Sequence, residues 1–157
     1  MEAYNFTAEE PLTLRVNDSQ KVISDRIKEI KRLFPRVRYI NNHTGSKFTA
    51  DEIAVNRLIL ALKNQHINFI DSRTTAQTKV PKVMKNYGFK YVARDVFLDD
   101  NTDIDEIVFQ IKRAIKLAKL HGSAIAIGHP HPNTIKALKI SKKLFKDVEL
   151  VRINRLY

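Results

Sequence analysis

The chain has 157 residues, 43 % hydrophobic and 29 % charged, with a net charge of +11. That is the size of one domain with a real core, and the lack of cysteine excludes disulfides and thiolate metal sites. No apolar run approaches the ~20 residues needed to cross a bilayer, and Met1-Glu2-Ala3-Tyr4-Asn5 has neither the basic start nor the apolar run of a signal peptide.

Residues 1–16 read as an irregular lead-in, with Glu9-Glu10-Pro11 breaking any early helix. Asn17, Asp18 or Ser19 then caps a helix to about Leu33. Its apolar face is Val22 or Ile23, Ile27, Ile30 and Leu33 or Phe34. Pro35 stops it, and Val37 to Ile40 reads as a buried strand. Thr49-Ala50-Asp51-Glu52 is a capping box for a helix to about Asn64, carrying Ile53, Leu58, Leu60, Ala61 and Leu62. Ile67 to Ile70 is the next strand. A shorter helix covers about Lys79 to Tyr87 and closes at Gly88. Lys90 to Ala93 is a third strand, and Val96 to Leu98 continues it. Thr102-Asp103-Ile104-Asp105 opens the longest helix, to about Leu120, with an acidic start, a basic body and Gly122 as its stop. Ser123 to Ile127 is a fourth strand, Pro132 to about Phe145 a helix, and Val148 to Ile153 the last strand. Strands alternating with helices mean βαβ units and a parallel sheet in an α/β fold. The order fits either an open doubly wound sheet or most of a barrel.

Basic residues are spread along these helices, as at Lys112, Lys116 and Lys119 or Lys136, Lys139, Lys142 and Lys143. The charge suits a polyanion, yet no interleaved aromatic and basic platform is present. A solvated basic surface is expected, with no specific nucleic-acid partner.

Chemistry in α/β folds collects at the C-terminal ends of strands. Here those ends carry Asn41-Asn42-His43, Asp71-Ser72-Arg73, Arg94-Asp95, and His129 with His131. Four such clusters in series point to an active-site rim. His43 is a zinc-type ligand or a histidine bonded to a loop carbonyl. His129 and His131 serve as metal ligands or as a general acid, and two residues apart they cannot point the same way. Arg73 orients a catalytic carboxylate, grips substrate with its planar fork, or bridges to Asp71 or Asp95. Asp95 is placed to pair with a histidine. Asn41 and Asn42 tie adjacent strand ends. Asn42, Lys47 and Asp71 are also expected on the substrate side, where Asp71 is a ligand or pins its loop. His66 and His121 fall at the far end of the sheet and carry no chemistry.

Asn41-Asn42-His43-Thr44-Gly45-Ser46-Lys47-Phe48-Thr49 resembles the signature of the divergent polysaccharide deacetylases. Asp71-Ser72-Arg73-Thr74-Thr75, Arg94-Asp95-Val96-Phe97-Leu98-Asp99 and Ala126-Ile127-Gly128-His129-Pro130-His131-Pro132 match that family in order. The resemblance covers essentially the whole chain. It implies a distorted, partial (β/α)7 barrel of the NodB type. It also implies metal-dependent removal of acetyl groups from envelope polysaccharide or a peptidoglycan-type substrate, in the periplasm or envelope. The divalent metal, usually zinc, polarises the carbonyl and activates water. The resemblance assigns metal ligation to His43 and His131, and catalysis to His129 as the acid histidine with Arg73 and Asp95.

Two departures stand out. Family enzymes end their first strand in an Asp-Asp pair that supplies a ligand and a base, whereas Asp99-Asp100 falls in a loop before the long helix. Lys47 also stands where ordinary deacetylases tend to carry a second histidine ligand. The chain resembles the C-terminal two-thirds of one deacetylase domain, spanning 1–157, with little activity expected of it alone and with no metal as one outcome. The alternative is a non-catalytic remnant that binds glycan or protein. Missing strands would leave an open apolar edge beside Val37 to Ile40, hence a homodimer unless residues 1–16 fold over the gap.

Overall fold

A computed structural model describes residues 1–4 and 11–157. The break expected at Glu9-Glu10-Pro11 therefore lies largely outside the described residues. The chain forms two compact units, Met1–Val92 and Ala93–Tyr157, each an α/β arrangement around a parallel strand pair.

In the first unit, Ser19 caps helix α1 (Gln20–Leu33) by accepting from the Val22 N–H at 3.3 Å. Ile23 and Ile27, four residues apart, bury its apolar face. Strand β1 (Tyr39–Asn41) pairs in parallel with β2 (Asn68–Ile70), placing Tyr39 opposite Asn68 and Asn41 opposite Ile70. Helices α2 (Ser46–Ala50) and α3 (Glu52–Asn64) make the crossover, and α4 (Val80–Asn86) follows β2. Phe48, Val55, Leu58, Leu62, Phe69 and Val83 fill the core between them.

The capping box is corrected. Thr49 is buried inside α2, and its hydroxyl donates back to the Gly45 carbonyl at 2.8 Å. Asp51, extended between the two helices, caps α3 by accepting from the Ala54 N–H. This shifts the buried stripe to Ala54, Val55, Leu58 and Leu62 and leaves Ile53 63 % exposed.

The described lead-in has no helix or strand. It is nonetheless bonded in place. The Glu2 N–H donates to the Leu14 carbonyl, the Val16 N–H to the Glu2 carboxylate, and the Phe48 N–H to the Glu2 carbonyl. Leu14 joins the core. Met1 to Ala3 and Pro11 to Leu14 share the walls of a cavity of about 550 Å³ with Val37, Tyr39 and Ile40. Described residues of the lead-in therefore lie beside Val37 to Ile40.

In the second unit, β3 (Val96–Phe97) pairs in parallel with β4 (Ala126–Ile127). Asp103 caps α5 (Ile104–His121) through bonds from the Asp105 and Glu106 N–H groups, and Gly122 ends it at φ +84°. After β4 come α6 (Pro132–Ile140) and two 3₁₀ turns, Ser141–Asp147 and Ile153–Arg155. Val96, Leu98, Ile107, Ile111 and Ala137 form this unit's core.

Three expected elements differ. The third strand is Val96–Phe97 rather than Lys90 to Ala93, where one bond from the Asp71 N–H to the Val92 carbonyl is made. The last helix tightens to 3₁₀ from Ser141. Val148 is extended, at φ −140° and ψ 152°, but Val148 to Ile153 pairs with no strand among the described residues. A strand requires a ladder as well as a pattern. Among the described residues no helix is long and apolar enough to cross a membrane.

Candidate functional site

With only three residues in each strand, the ends of β1 and β2 are tied by side chains. Asn42, 2 % exposed, accepts from the Ser72 N–H at 2.9 Å and donates to the Thr44 carbonyl at 2.7 Å. Asn41 donates to the Ser72 hydroxyl at 2.9 Å, and Thr74 to the Thr44 carbonyl at 3.2 Å. The expected tie between strand ends is therefore present. It holds two non-glycine residues, Thr44 (φ +53°) and Arg73 (φ +50°), in the left-handed region. Each such residue costs about 1 kcal/mol and persists only where its surroundings enforce it.

Asp71 anchors the second loop. It is fully buried and accepts from the Arg73 N–H at 2.8 Å and from the Thr78 and Tyr91 hydroxyls at 2.9 Å each. Burial, then the Asp71 charge and bond, push the Tyr91 hydroxyl pKa above its ordinary value. Asp71 and Asn42 turn polar atoms to partners inside the protein and tie the loops that follow β1 and β2. Of the other candidate side chains in this unit, Arg73 and His43 are exposed and Lys47 is half-buried. Lys47 bonds Glu2, and that bond, followed by the one from the Val16 N–H, holds the Glu2 carboxyl below its usual range.

The second unit gathers a tighter group. Asp99, two residues past β3, has a fully buried side chain. One oxygen accepts from the His129 N–H at 2.6 Å and the Thr134 hydroxyl at 2.7 Å, and the other lies 3.2 Å from His129 Nδ1. Burial works to raise the Asp99 pKa, but the bonds from Thr134 and His129 outweigh it and the net shift is downward. Asp99 is therefore an ionised carboxylate at neutral pH and accepts only. The facing His129 Nδ1 must carry the proton. In the neutral ring Nε2 is then the acceptor nitrogen.

Backbone chemistry makes room for this. A side chain at Gly128 would press on Leu98 and Thr134 at 3.3 Å and on Asp99 at 3.4 Å. Pro132 opens α6 where an N–H has no helical partner, and this helix brings Thr134 over Asp99. The His129 ring stands between Phe97 and His131, with centroids 5.5 and 5.4 Å away.

Asp95 sits at the opposite end of β3 and accepts from the Ile125 N–H at 2.7 Å. It pins the approach to β4, and the histidine pairing expected of it belongs to Asp99. By sequence Asp99 reads as a loop acid. Its place just after a strand matches that of His43 and His129, but nothing local marks it as a histidine's partner. His66 lies between α3 and β2, and His121 is the last residue of α5.

One ligand atom each from Asp99, His129 and His131 lies within 4.8 Å of the others, the one such group of three among the described residues. A carboxylate with two imidazoles is a donor set that zinc accepts.

A family model described as divergent polysaccharide deacetylase matches residues 1–157. An uncharacterized protein of Haemophilus influenzae is 38 % identical over 145 residues, covering 92 % of this chain and 52 % of that protein. The uncharacterized protein YibQ of Escherichia coli is 37 % identical over 145 residues, covering 92 % of this chain and 46 % of its own length. The chain thus spans about half the length of the curated relatives it matches. A crystal structure of the uncharacterized protein ATU2773 from Agrobacterium tumefaciens C58 shares the fold, with a TM-score of 0.88 at 23 % identity over 99 % of this chain and 65 % of that one.

Proposed function

The chain belongs to the divergent polysaccharide deacetylase family, and on that premise we propose that it forms part of one hydrolase domain that removes acetyl groups from amino sugars of an envelope polysaccharide. The observation that carries this reading is the pairing of ionised Asp99 with His129 Nδ1. His129 Nε2 takes a proton from water as the water oxygen bonds to the acetyl carbonyl carbon. The imidazolium then returns that proton to the sugar nitrogen or oxygen as its bond to carbon breaks, releasing acetate. Asp99 holds the ring and stabilises its cationic form, and Thr134 holds Asp99.

The intact domain is proposed to close as the NodB-type (β/α)7 barrel, within the cell envelope. In the first unit, Arg73, Lys47 and His43 are retained as candidate contacts for a sugar ligand of that unit alone. Asp95 supports its strand.

The family's divalent metal, when bound, polarises the carbonyl and acidifies water. The described residues that fit it are Asp99, His129 and His131. That fit favours a second reading in which His129 is a ligand rather than a proton carrier.

Acetate release from acetylated chito-oligosaccharide by the intact family domain carrying this chain tests the first reading. H129Q and D99A each lower the rate by about 10²–10⁴ if His129 moves the proton. Full activity in H129Q overturns both readings. H131A separates them: as a ligand variant it loses zinc and activity together, whereas in the acid–base reading zinc content does not follow the rate.

A further inference from the structure

The second unit carries a trough of about 1280 Å³ that begins at His129 and extends well beyond the residues the proposed chemistry uses. This exceeds the roughly 300–1,000 Å³ of most small-ligand sites. One part of its wall is Gly128, His129, Pro130 and Thr134, the residues around the Asp99 carboxylate. The remainder is apolar: Ile115, Leu138, Phe145, Val148, Val151 and Leu156. Leu138 and Val151 are 38 % and 40 % exposed, so a large apolar surface faces water.

Charge on the lining is one-sided. Its two acids beyond the His129 end are matched, Asp147 to Lys119 at 2.9 Å and Glu149 to Arg155 at 3.6 Å. Lys139 and Lys142 remain as excess positive charge on the same wall. Lys139 and Lys142 sit on α6 and on the 3₁₀ turn that follows it, five and eight residues past Thr134. Apolar side chains and a pair of cations thus line one trough.

We propose that this trough binds a single-chain anionic amphiphile, its alkyl chain on Leu138, Phe145 and Val151 and its anionic head at Lys139 and Lys142. The occupant is an acyl chain bearing a negative group, because the apolar bed and the excess of cations must be satisfied by one molecule. Placing an ester or amide carbon of that molecule beside His129 rests on the acid–base reading; the binding itself does not.

The test is calorimetric titration of the full chain with dodecanoate below its micelle concentration, against acetate (head alone) and dodecyl maltoside (chain with a neutral head). Saturable dodecanoate binding is expected, with each control at least tenfold weaker. The K139A/K142A double variant should lose binding by a similar factor, as should V151D or L138Q, two variants of half-exposed side chains whose folding is checked by circular dichroism. No saturable binding, or equal binding by all variants, overturns the proposal. So does a concentration-dependent dimer of the free chain that V151D dissolves, which would make a second copy the occupant. H129Q that keeps dodecanoate binding but abolishes acetate release supports both readings. Dodecanoate binding without any dependence of hydrolysis on His129 leaves the trough standing and removes the catalytic reading.

Discussion

Replacing Asp99 by Asn is the sharpest perturbation of the second unit, because it keeps the shape and changes what the group can accept. The amide oxygen can still take the His129 N–H and the Thr134 hydroxyl, now 2.6 and 2.7 Å from one carboxylate oxygen. Both bonds lose charge assistance, about 1 kcal/mol each, so D99N should be about 2 kcal/mol less stable. For a chain of this size that is about 4–8 °C in melting temperature. The other position becomes an NH₂ group facing His129 Nδ1, 3.2 Å away. A donor there forces Nδ1 to accept, and the ring proton moves to Nε2. The histidine remains but presents the wrong atom, an exchange that lowers the rate about 10⁴-fold where a serine protease triad depends on it. Nitrogen-15 shifts of the His129 ring, recorded on the neutral imidazole, report the tautomer directly. The wild type should show the proton on Nδ1 and D99N on Nε2. The same tautomer in both proteins would refute the reasoning, whatever happened to stability.

Three other outcomes are expected. N42A leaves the Ser72 N–H without its acceptor and should cost about 2–3 kcal/mol. Hydrogen exchange at Ser72 should accelerate, whereas N42D, which keeps an acceptor there, should protect it; equal exchange in all three proteins counts against the rim as described. The Glu2 carboxyl is held below the ordinary 4.5 chiefly by its bond to Lys47. Its contribution is therefore complete above that value and is lost as pH falls through the lowered one. Melts from pH 6 to 3 should show wild type and K47M converging at the acid end, and a constant gap would sink this assignment. Finally, G122A places a side chain in open space but at φ +84°, so its penalty is backbone strain alone, about 1 kcal/mol, read as a lower melting temperature of the second unit.

Helix boundaries set by local chemistry were legible in the sequence. Ser19, Asp103 and Gly122 act within a few residues of themselves, and they stop or start helices where expected. The failures share a cause, which is dependence on a distant partner. Thr49 and Asp51 both suit a cap, and the choice between them was made by α2, a five-residue helix that packs Phe48 into the core. Val148 to Ile153 has the right residues for a strand, and no neighbour among the described residues pairs with it. At the candidate site, His129 and His131 were visible as residue types. The Asp99 pairing was not, because it depends on a bond across 30 positions that only the β3–β4 register creates. Asp71 and Asn42 were rightly noticed, but burial gave them an inward role that polarity alone does not reveal.

Asp99 reaches every hydrogen-bond partner described for it within 35 positions downstream. A stretch only slightly longer, from β3 to the first turn of α6, holds the carboxylate, the imidazole, the hydroxyl that steadies them and the parallel strands that bring them into register. Recombination can therefore move the Asp99, His129 and Thr134 arrangement as a single inheritable cassette, its geometry intact whatever flanks it.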